Sequence, residues 1–126
     1  MNIYKLFKDK KVLITGNTGF KGSWLSIYLH HLGAKIIGVS LKPHIEMSMH
    51  NYCRLEDFIE QYYINISDYD RLLEVIKVTQ PDYIFHMAAQ AITLTAYKEP
   101  RKTFETNVMG TVNILESVMK VDLHVK

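Results

Sequence analysis

Apolar residues in this chain alternate between two textures. Nearly continuous runs at Lys11–Thr15, Lys35–Ser40, Gln61–Ile66 and Tyr83–Met87 are rich in Val, Ile, Leu, Tyr and Phe. That is the composition of strands buried on both faces. Between them lie longer stretches with apolar positions three and four apart, the spacing of a helix with one buried side. The first covers Phe20–Leu32, with Trp24, Leu25, Tyr28, Leu29 and Leu32 on a common side and Gly33 as its stop. The second opens at a capping-box-like pair, Ser67 and Asp70, and runs to Thr79 ahead of Pro81. The third follows Pro100 and runs to about Lys120. Phe104, Val108, Thr111, Leu115 and Val118 mark one of its faces, while Met109, Val112 and Ile114 carry apolar surface to another. A helix apolar on two sides packs against two partners. Leu41–Glu60 is the least regular stretch and predicts a short helix at most.

Strict alternation of strand and helix predicts an α/β fold, a Rossmann-like doubly wound parallel sheet. Right-handed crossovers give the strand order 3-2-1-4. Val121–Lys126 reads as the approach to a fifth strand that the sequence does not reach. The expectation is therefore one incomplete dinucleotide-binding domain over residues 1–126, without a substrate domain.

Composition narrows the function classes. Of 126 residues, 48% are hydrophobic and 22% charged, as in ordinary globular chains. The net charge of +2, with its basic residues scattered, predicts no nucleic-acid partner. Cys53 is the only cysteine, so an internal disulfide is impossible. It reads as a small semi-buried hydrophobe. No apolar run has membrane-spanning length, and the first residues lack a signal peptide's apolar core. A cytoplasmic protein with no membrane partner is the expectation.

Chemistry concentrates where the first strand meets the first helix. Lys11-Val-Leu-Ile-Thr15-Gly16-Asn-Thr-Gly19-Phe-Lys-Gly22-Ser-Trp24 joins a strand to three glycines and then to a helix. Glycine permits both a tight turn and close backbone approach to a diphosphate, and free amides at the helix start hold the anion. Thr15-Gly16-x-x-Gly19-x-x-Gly22 resembles the fingerprint of the extended short-chain dehydrogenase/reductase superfamily. The longer string Gly16 to Leu25 is similar to the CDP-glucose 4,6-dehydratases, as are His86-Met-Ala-Ala-Gln90, Tyr97-x-x-Pro100 and Thr106 to Glu116. The similarity runs from Phe7 to about Glu116 and is weakest between Pro43 and Ile59.

The resemblance implies an enzyme-held NAD that takes hydride from C4 of the glucosyl ring of CDP-glucose. Water is eliminated across C5 and C6, and hydride returns to C6, giving a CDP-4-keto-6-deoxy sugar for surface polysaccharides. It implies that Gly16, Gly19 and Gly22 form the diphosphate turn, with Phe20 and Lys21 at the helix start. Ala88, Ala89 and Gln90 would lie beside the nicotinamide ribose, and Asn107 would steady the backbone there. Ser40, at the end of the second strand, and Asn65 with Ile66, after the third, would face the adenosine. His86 reads as a packed strand-end histidine rather than a catalytic one.

The chain also departs from the family. Ser40-Leu41-Lys42-Pro43 has no acid for the ribose hydroxyls, and a lysine there tolerates the 2′-phosphate of NADP. NAD is the expected cofactor, with NADP the alternative. Asn65 replaces an aspartate, Asn17 replaces a histidine, and Ala91-Ile-Thr-Leu94 replaces a segment with proline and arginine. The superfamily's catalytic Tyr-x-x-x-Lys pair is expected after a fifth strand. The one such spacing here, Tyr4-Lys-Leu-Phe-Lys8, precedes the glycine turn and reads as coincidence. No catalytic residue and no metal ligand is assigned. Two readings follow. One is the NAD-binding part of a sugar-nucleotide dehydratase, inactive alone, meeting its CDP-sugar only in a full-length form. The other is a non-catalytic nucleotide-binding or interaction module. The greasy third helix and an open sheet edge predict self-association.

Overall fold

Lys11–Thr15 forms β1 at the heart of a four-stranded parallel sheet, and Val12, Leu13, Ile14 and Thr15 are all buried. The computed structural model describes residues 3–125. A short helix α1 (Ile3–Phe7) precedes β1. Then come α2 (Phe20–His31), β2 (Lys35–Ser40), α3 (Met49–Tyr52), a 3-10 turn at Leu55–Asp57, and β3 (Ile59–Tyr63). The chain continues through α4 (Tyr69–Thr79), β4 (Tyr83–His86), α5 (Thr93–Lys98) and α6 (Pro100–Phe104). A π-helical turn, Glu105–Met109, leads into α7 (Gly110–Val121). The strand order is β3-β2-β1-β4, the predicted 3-2-1-4. Leu13 stands beside Ile37 on one side and Ile84 on the other.

Period-2 alternation along β1 feeds two cores. Val12 and Ile14 join Phe7, Leu29, Leu32, Ile36, Leu55 and Ile59 beneath α2. Leu13 joins Ile37, Val39, Ile66, Leu72, Val75, Ile76 and Ile114 beneath α4 and α7. At the sheet's other end, Asp82 accepts from the Lys11 amide at 2.9 Å and pairs with Lys10 at 3.2 Å, tying β4 to β1. The Lys11 amide leads the influences that hold the Asp82 carboxyl below its ordinary value. No helix among the described residues is long and apolar enough to cross a membrane.

The structure corrects several local expectations. Trp24 and Tyr28 are half exposed, and α2 instead buries Gly22, Ser23, Ser26 and Leu29. Small residues let the helix descend onto the sheet. Ser26 and Ser23 return their hydroxyls to the carbonyls of Gly22 and Asn17 at 2.8 and 3.0 Å. β3 starts two residues early because Ile59 pairs with Ile36 and the ladder ends at Tyr63 beside Ser40. Ile64 and Ile66 continue the apolar rhythm past the ladder, in the core. The cap of α4 is Asp68, which accepts from the Arg71 amide at 3.3 Å. Ser67 is occupied one step earlier, donating its amide and hydroxyl to Asn65 Oδ1, each at 3.0 Å. α1 and α5 were not predicted, and the single long helix after Pro100 is three pieces. Its α7 portion buries Gly110, Asn113, Ile114 and Ser117 and packs on α4. Phe104, Val108, Val112, Leu115 and Met119 remain exposed, so the described residues supply one of its two expected partners.

Removing the Asp68 cap (Asp68→Ala) is expected to lower stability by about 1 kcal/mol in urea denaturation, with Ser67→Ala costing less. Equal losses would return the cap to Ser67. Leu72→Ala, deep under α7, should cost about 2–5 kcal/mol.

Candidate cofactor site

All four strands end at one edge, where β1 delivers the glycine turn. The three glycines have different jobs. Gly16 has φ 71°, in the left-handed region, and a Cβ there would lie 2.8 Å from both the N and Cα of Ala88. It therefore serves both the turn and the approach of the segment after β4. A Cβ on Gly22 would strike the Gly16 carbonyl and come within 2.7 Å of the Asn17 Cα, so Gly22 lets α2 dock on the turn. Gly19 differs from both. Its Cβ would meet only the Gly16 carbonyl at 3.3 Å and otherwise open space.

Gly19 is also the N-cap of α2, with no side chain capping the helix and no acid in its first turn. The first bond closing the helix is Ser23 N–H to the Gly19 carbonyl at 2.8 Å. The amides of Phe20, Lys21 and Gly22 thus start the helix without i−4 partners inside it. Phe20 and Lys21 are exposed. An uncapped helix start, a positive dipole end, a lysine and a bare glycine surface fit a diphosphate.

Beside the turn, Thr15 holds the chain leaving β4. Its Oγ1 accepts from the amides of Met87 and Ala88 at 3.0 and 3.1 Å and lies 2.7 Å from His86 Nδ1. His86 Nε2 is 3.1 Å from Thr111 Oγ1, which bonds the Asn107 carbonyl at 2.7 Å. The Asn107 side chain grips the Gln90 backbone from both sides, accepting its amide at 2.8 Å and donating to its carbonyl at 3.1 Å. Gln90 in turn donates to Thr103 Oγ1 at 3.1 Å. Gly16, Gly19, Phe20, Lys21, Gly22, Ala88, Ala89, Gln90 and Asn107 thereby fall along one edge. Reading the residues one at a time missed Thr15, Thr111 and Gln61 as organisers. A hydroxyl ending an apolar strand just before the glycines was the available signal.

The adenosine-side candidates sit differently. Ser40 is buried, and Gln61 Nε2 reaches its hydroxyl at 3.3 Å. Gln61 also accepts from Asn17 Nδ2 at 2.6 Å, so the residue replacing histidine is spent beneath the turn. Asn17 is fully buried, and its Oδ1 has no partner. Ile66 packs in the core against Gly110, and its carbonyl accepts from Asn113 at 2.9 Å. Asn65 is exposed, with its oxygen engaged by Ser67. Thr18 closes the turn onto the Leu41 carbonyl at 3.0 Å. Lys42 places its ammonium 5.7 Å from the centre of the Tyr63 ring. The Tyr63 hydroxyl donates to Glu56, and burial followed by that bond pushes its pKa up to about 12. Lys8 lies against Gly33, and its amide bonds the Tyr4 carbonyl at 3.1 Å, at the opposite end of β1 from the glycine turn. A hollow of about 340 Å³ lined by Lys11, Lys35, Phe58 and Glu60 is also at that far end.

This geometry can be set against known proteins. The family described as GDP-mannose 4,6 dehydratase matches residues 13–126. The chain belongs to that family. It is 42% identical to CDP-glucose 4,6-dehydratase of Salmonella typhimurium over 115 residues, covering 91% of this chain and 32% of the relative. It is 29% identical to GDP-mannose 4,6-dehydratase of Yersinia enterocolitica over 119 residues, 86% of this chain and 31% of the relative. Among solved structures, an epimerase from Methanothermobacter thermautotrophicus superposes with a TM-score of 0.80 at 29% identity, covering 98% of this chain and 35% of that one. The chain spans about a third of the length of these relatives. The resemblance to sugar-nucleotide dehydratases and the Rossmann-like fold both hold.

Two histidines tie the stability of this fold to pH. Burial lowers the pKa of His86, and burial also lowers that of His50 against the opposing pull of Glu56. Each binds its proton more weakly folded than unfolded, so stability is full above the ordinary value of 6.5 and declines as pH falls below it. Thermal denaturation is expected to show a falling Tm from about pH 7 to pH 5, and His50→Gln and His86→Asn should each flatten that slope.

Proposed function

We propose that these residues are the cofactor-binding part of a sugar-nucleotide 4,6-dehydratase that acts on CDP-glucose and holds NAD at the carboxyl edge of the sheet. The observation that carries this is the Gly19 surface, open to solvent at an uncapped helix start while Gly16 and Gly22 are closed by protein. The choice of CDP-glucose rests on the 42% identity to the Salmonella enzyme. NAD, when bound, supplies reversible acceptance of hydride. The chain's own residues bind and orient. Amides of Phe20, Lys21 and Gly22 would hold the diphosphate, and Thr15 with Asn107, which fix the Ala88–Gln90 backbone, would position the nicotinamide ribose. The reacting Tyr-x-x-x-Lys pair of the superfamily has no counterpart past the glycine turn in these 126 residues. Binding without turnover is therefore the behaviour proposed for them in isolation.

A second reading, NADP, is favoured by one observation. No acid stands at the end of β2, and Lys42 is held there over the Tyr63 ring. Self-association belongs to the same proposal. A second copy of this chain would cover the exposed Phe104, Val108, Val112, Leu115 and Met119.

Calorimetry on the purified 126-residue chain tests the cradle directly. NAD is expected to bind, and Gly19→Leu should abolish binding at a smaller cost in Tm than Gly16→Ala, because its Cβ meets only the Gly16 carbonyl, at 3.3 Å, and the rest of the side chain enters open space. Gly16→Ala should instead destabilise the fold by about 1–3 kcal/mol. Equal NAD affinity in Gly19→Leu would remove the cradle. NADP binding more tightly than NAD, with the preference lost in Lys42→Ala, would move the reading to NADP. Formation of a 4-keto sugar from CDP-glucose by this chain alone would overturn its proposed inactivity, and a sharp monomer peak in light scattering at high concentration would overturn self-association.

A further inference from the structure

The hydroxyl of Thr15 has one hydrogen and two acceptor positions. Both acceptor positions are filled, by the amides of Met87 and Ala88 at 3.0 and 3.1 Å. Its hydrogen must therefore be donated, and the atom at 2.7 Å is His86 Nδ1. That nitrogen can accept only when it carries no proton, so the ring proton is on Nε2. From there the direction continues. Nε2–H donates to Thr111 Oγ1 at 3.1 Å, and the Thr111 hydroxyl donates to the Asn107 carbonyl at 2.7 Å. The Met87 amide is shared with the Thr15 carbonyl at 3.2 Å, so the Ala88 amide is the one that depends on the hydroxyl alone. The chain of bonds runs from the backbone under Gly16, through β1 and β4, to the π-helical turn that carries Asn107.

We infer that His86 is a positioning residue of the cofactor cradle, fixed as the Nε2–H tautomer between Thr15 and Thr111 so that the Thr15 hydroxyl holds the Met87–Ala88 backbone against Gly16. This rests on the dinucleotide reading only for its effect on ligand; the tautomer itself does not. A second proton on the ring would put Nδ1–H against the Thr15 hydroxyl, whose acceptor positions are already filled. The Thr15 hydrogen would then have to turn away, and one of the two amide bonds would be surrendered. The groups facing His86 are Thr15 of β1 and Thr111 of α7, all neutral. Burial lowers its pKa, in the same direction as the Thr15 bond to Nδ1.

The test uses nitrogen-15 NMR of the full 126-residue chain together with calorimetry using NAD as the probe. At about pH 7.5 the long-range proton–nitrogen spectrum is expected to show His86 wholly as the Nε2–H form, and as pH falls to about 5.5 the Met87 and Ala88 amide resonances should shift with the ring's own titration. An Nδ1–H form, a mixture of tautomers, or amides that ignore the titration would overturn the inference. NAD affinity of the wild-type chain should fall about tenfold over the same range, the equivalent of one net hydrogen bond. His86→Asn, which keeps an acceptor near Thr15 and cannot titrate, should bind NAD with no such pH dependence. A tenfold fall that persists in His86→Asn would overturn the effect on ligand. Should that variant fail to fold, Thr111→Val, which removes the acceptor for Nε2–H but leaves the Thr15 donor to Nδ1, must still show the Nε2–H form; an Nδ1–H form there would overturn Thr15 as the group that fixes the ring. No NAD binding by the folded wild type at pH 7.5 would overturn the dinucleotide reading, while tautomer and amides, read without ligand, would still decide the placement of His86.

Discussion

The fold at its functional edge depends on one close approach, the backbone of Ala88 against Gly16. Parallel strands β1 and β4 end side by side, and the chain leaving each must go somewhere without clashing with the other. A Cβ on Gly16 would sit 2.8 Å from two backbone atoms of Ala88, and backbone cannot rotate away as a side chain can. Glycine resolves the conflict and also permits the left-handed φ of 71° that turns the chain toward α2. Once that contact is made, Thr15 can reach two successive amides of the neighbouring segment. Gly22 then lets α2 settle onto the same turn, and its first-turn amides point out at the edge rather than into the sheet.

Seen this way, the three glycines divide into structure and function. Gly16 and Gly22 answer to protein atoms, so their loss is a folding problem. Gly19 answers to nothing but the Gly16 carbonyl, so its smallness is useful only toward something outside the chain. Glycine is accepted at a helix N-cap, but unlike serine or aspartate it gives the first-turn amides no side-chain acceptor. One that meets open space beside an uncapped helix start therefore points to a ligand more directly than the spaced motif does.

The elements readable from the sequence were those with a single dominant force. β1 and β2 are continuous apolar runs, and their ends fell where expected because both faces of the sheet are covered. α2 was found, but its buried side was not, because size outweighed hydrophobicity. The contact with the glycine turn demands Gly22, Ser23 and Ser26, and rotation toward them carries Trp24 and Tyr28 outward. The α4 cap went to Asp68 because Asn65 had already claimed Ser67, a local competition that residue types alone do not rank. The glycine-turn half of the candidate site was legible because its residues lie in one contiguous stretch. The adenosine half was less so, since the fates of Ser40 and Asn17 are decided by Gln61, which comes 44 residues after Asn17 and meets it only through the β2–β3 pairing.

The π-helical turn is the last piece this edge requires. An uninterrupted helix from Pro100 would carry one continuous register of side chains, and a π turn shifts that register by inserting a wider loop of backbone. Here the wide loop closes with the Gly110 amide on the Glu105 carbonyl. It falls where Asn107 must face Gln90 while Thr111, four residues on, faces His86. Gly110, lying between them, must also press against Ile66 in the core, where a Cβ would come within 2.8 Å of the isoleucine Cγ1. The helix is thus pinned to the cofactor edge at two polar points and to the core at one apolar point. Its irregularity follows from meeting all three along a single stretch of chain.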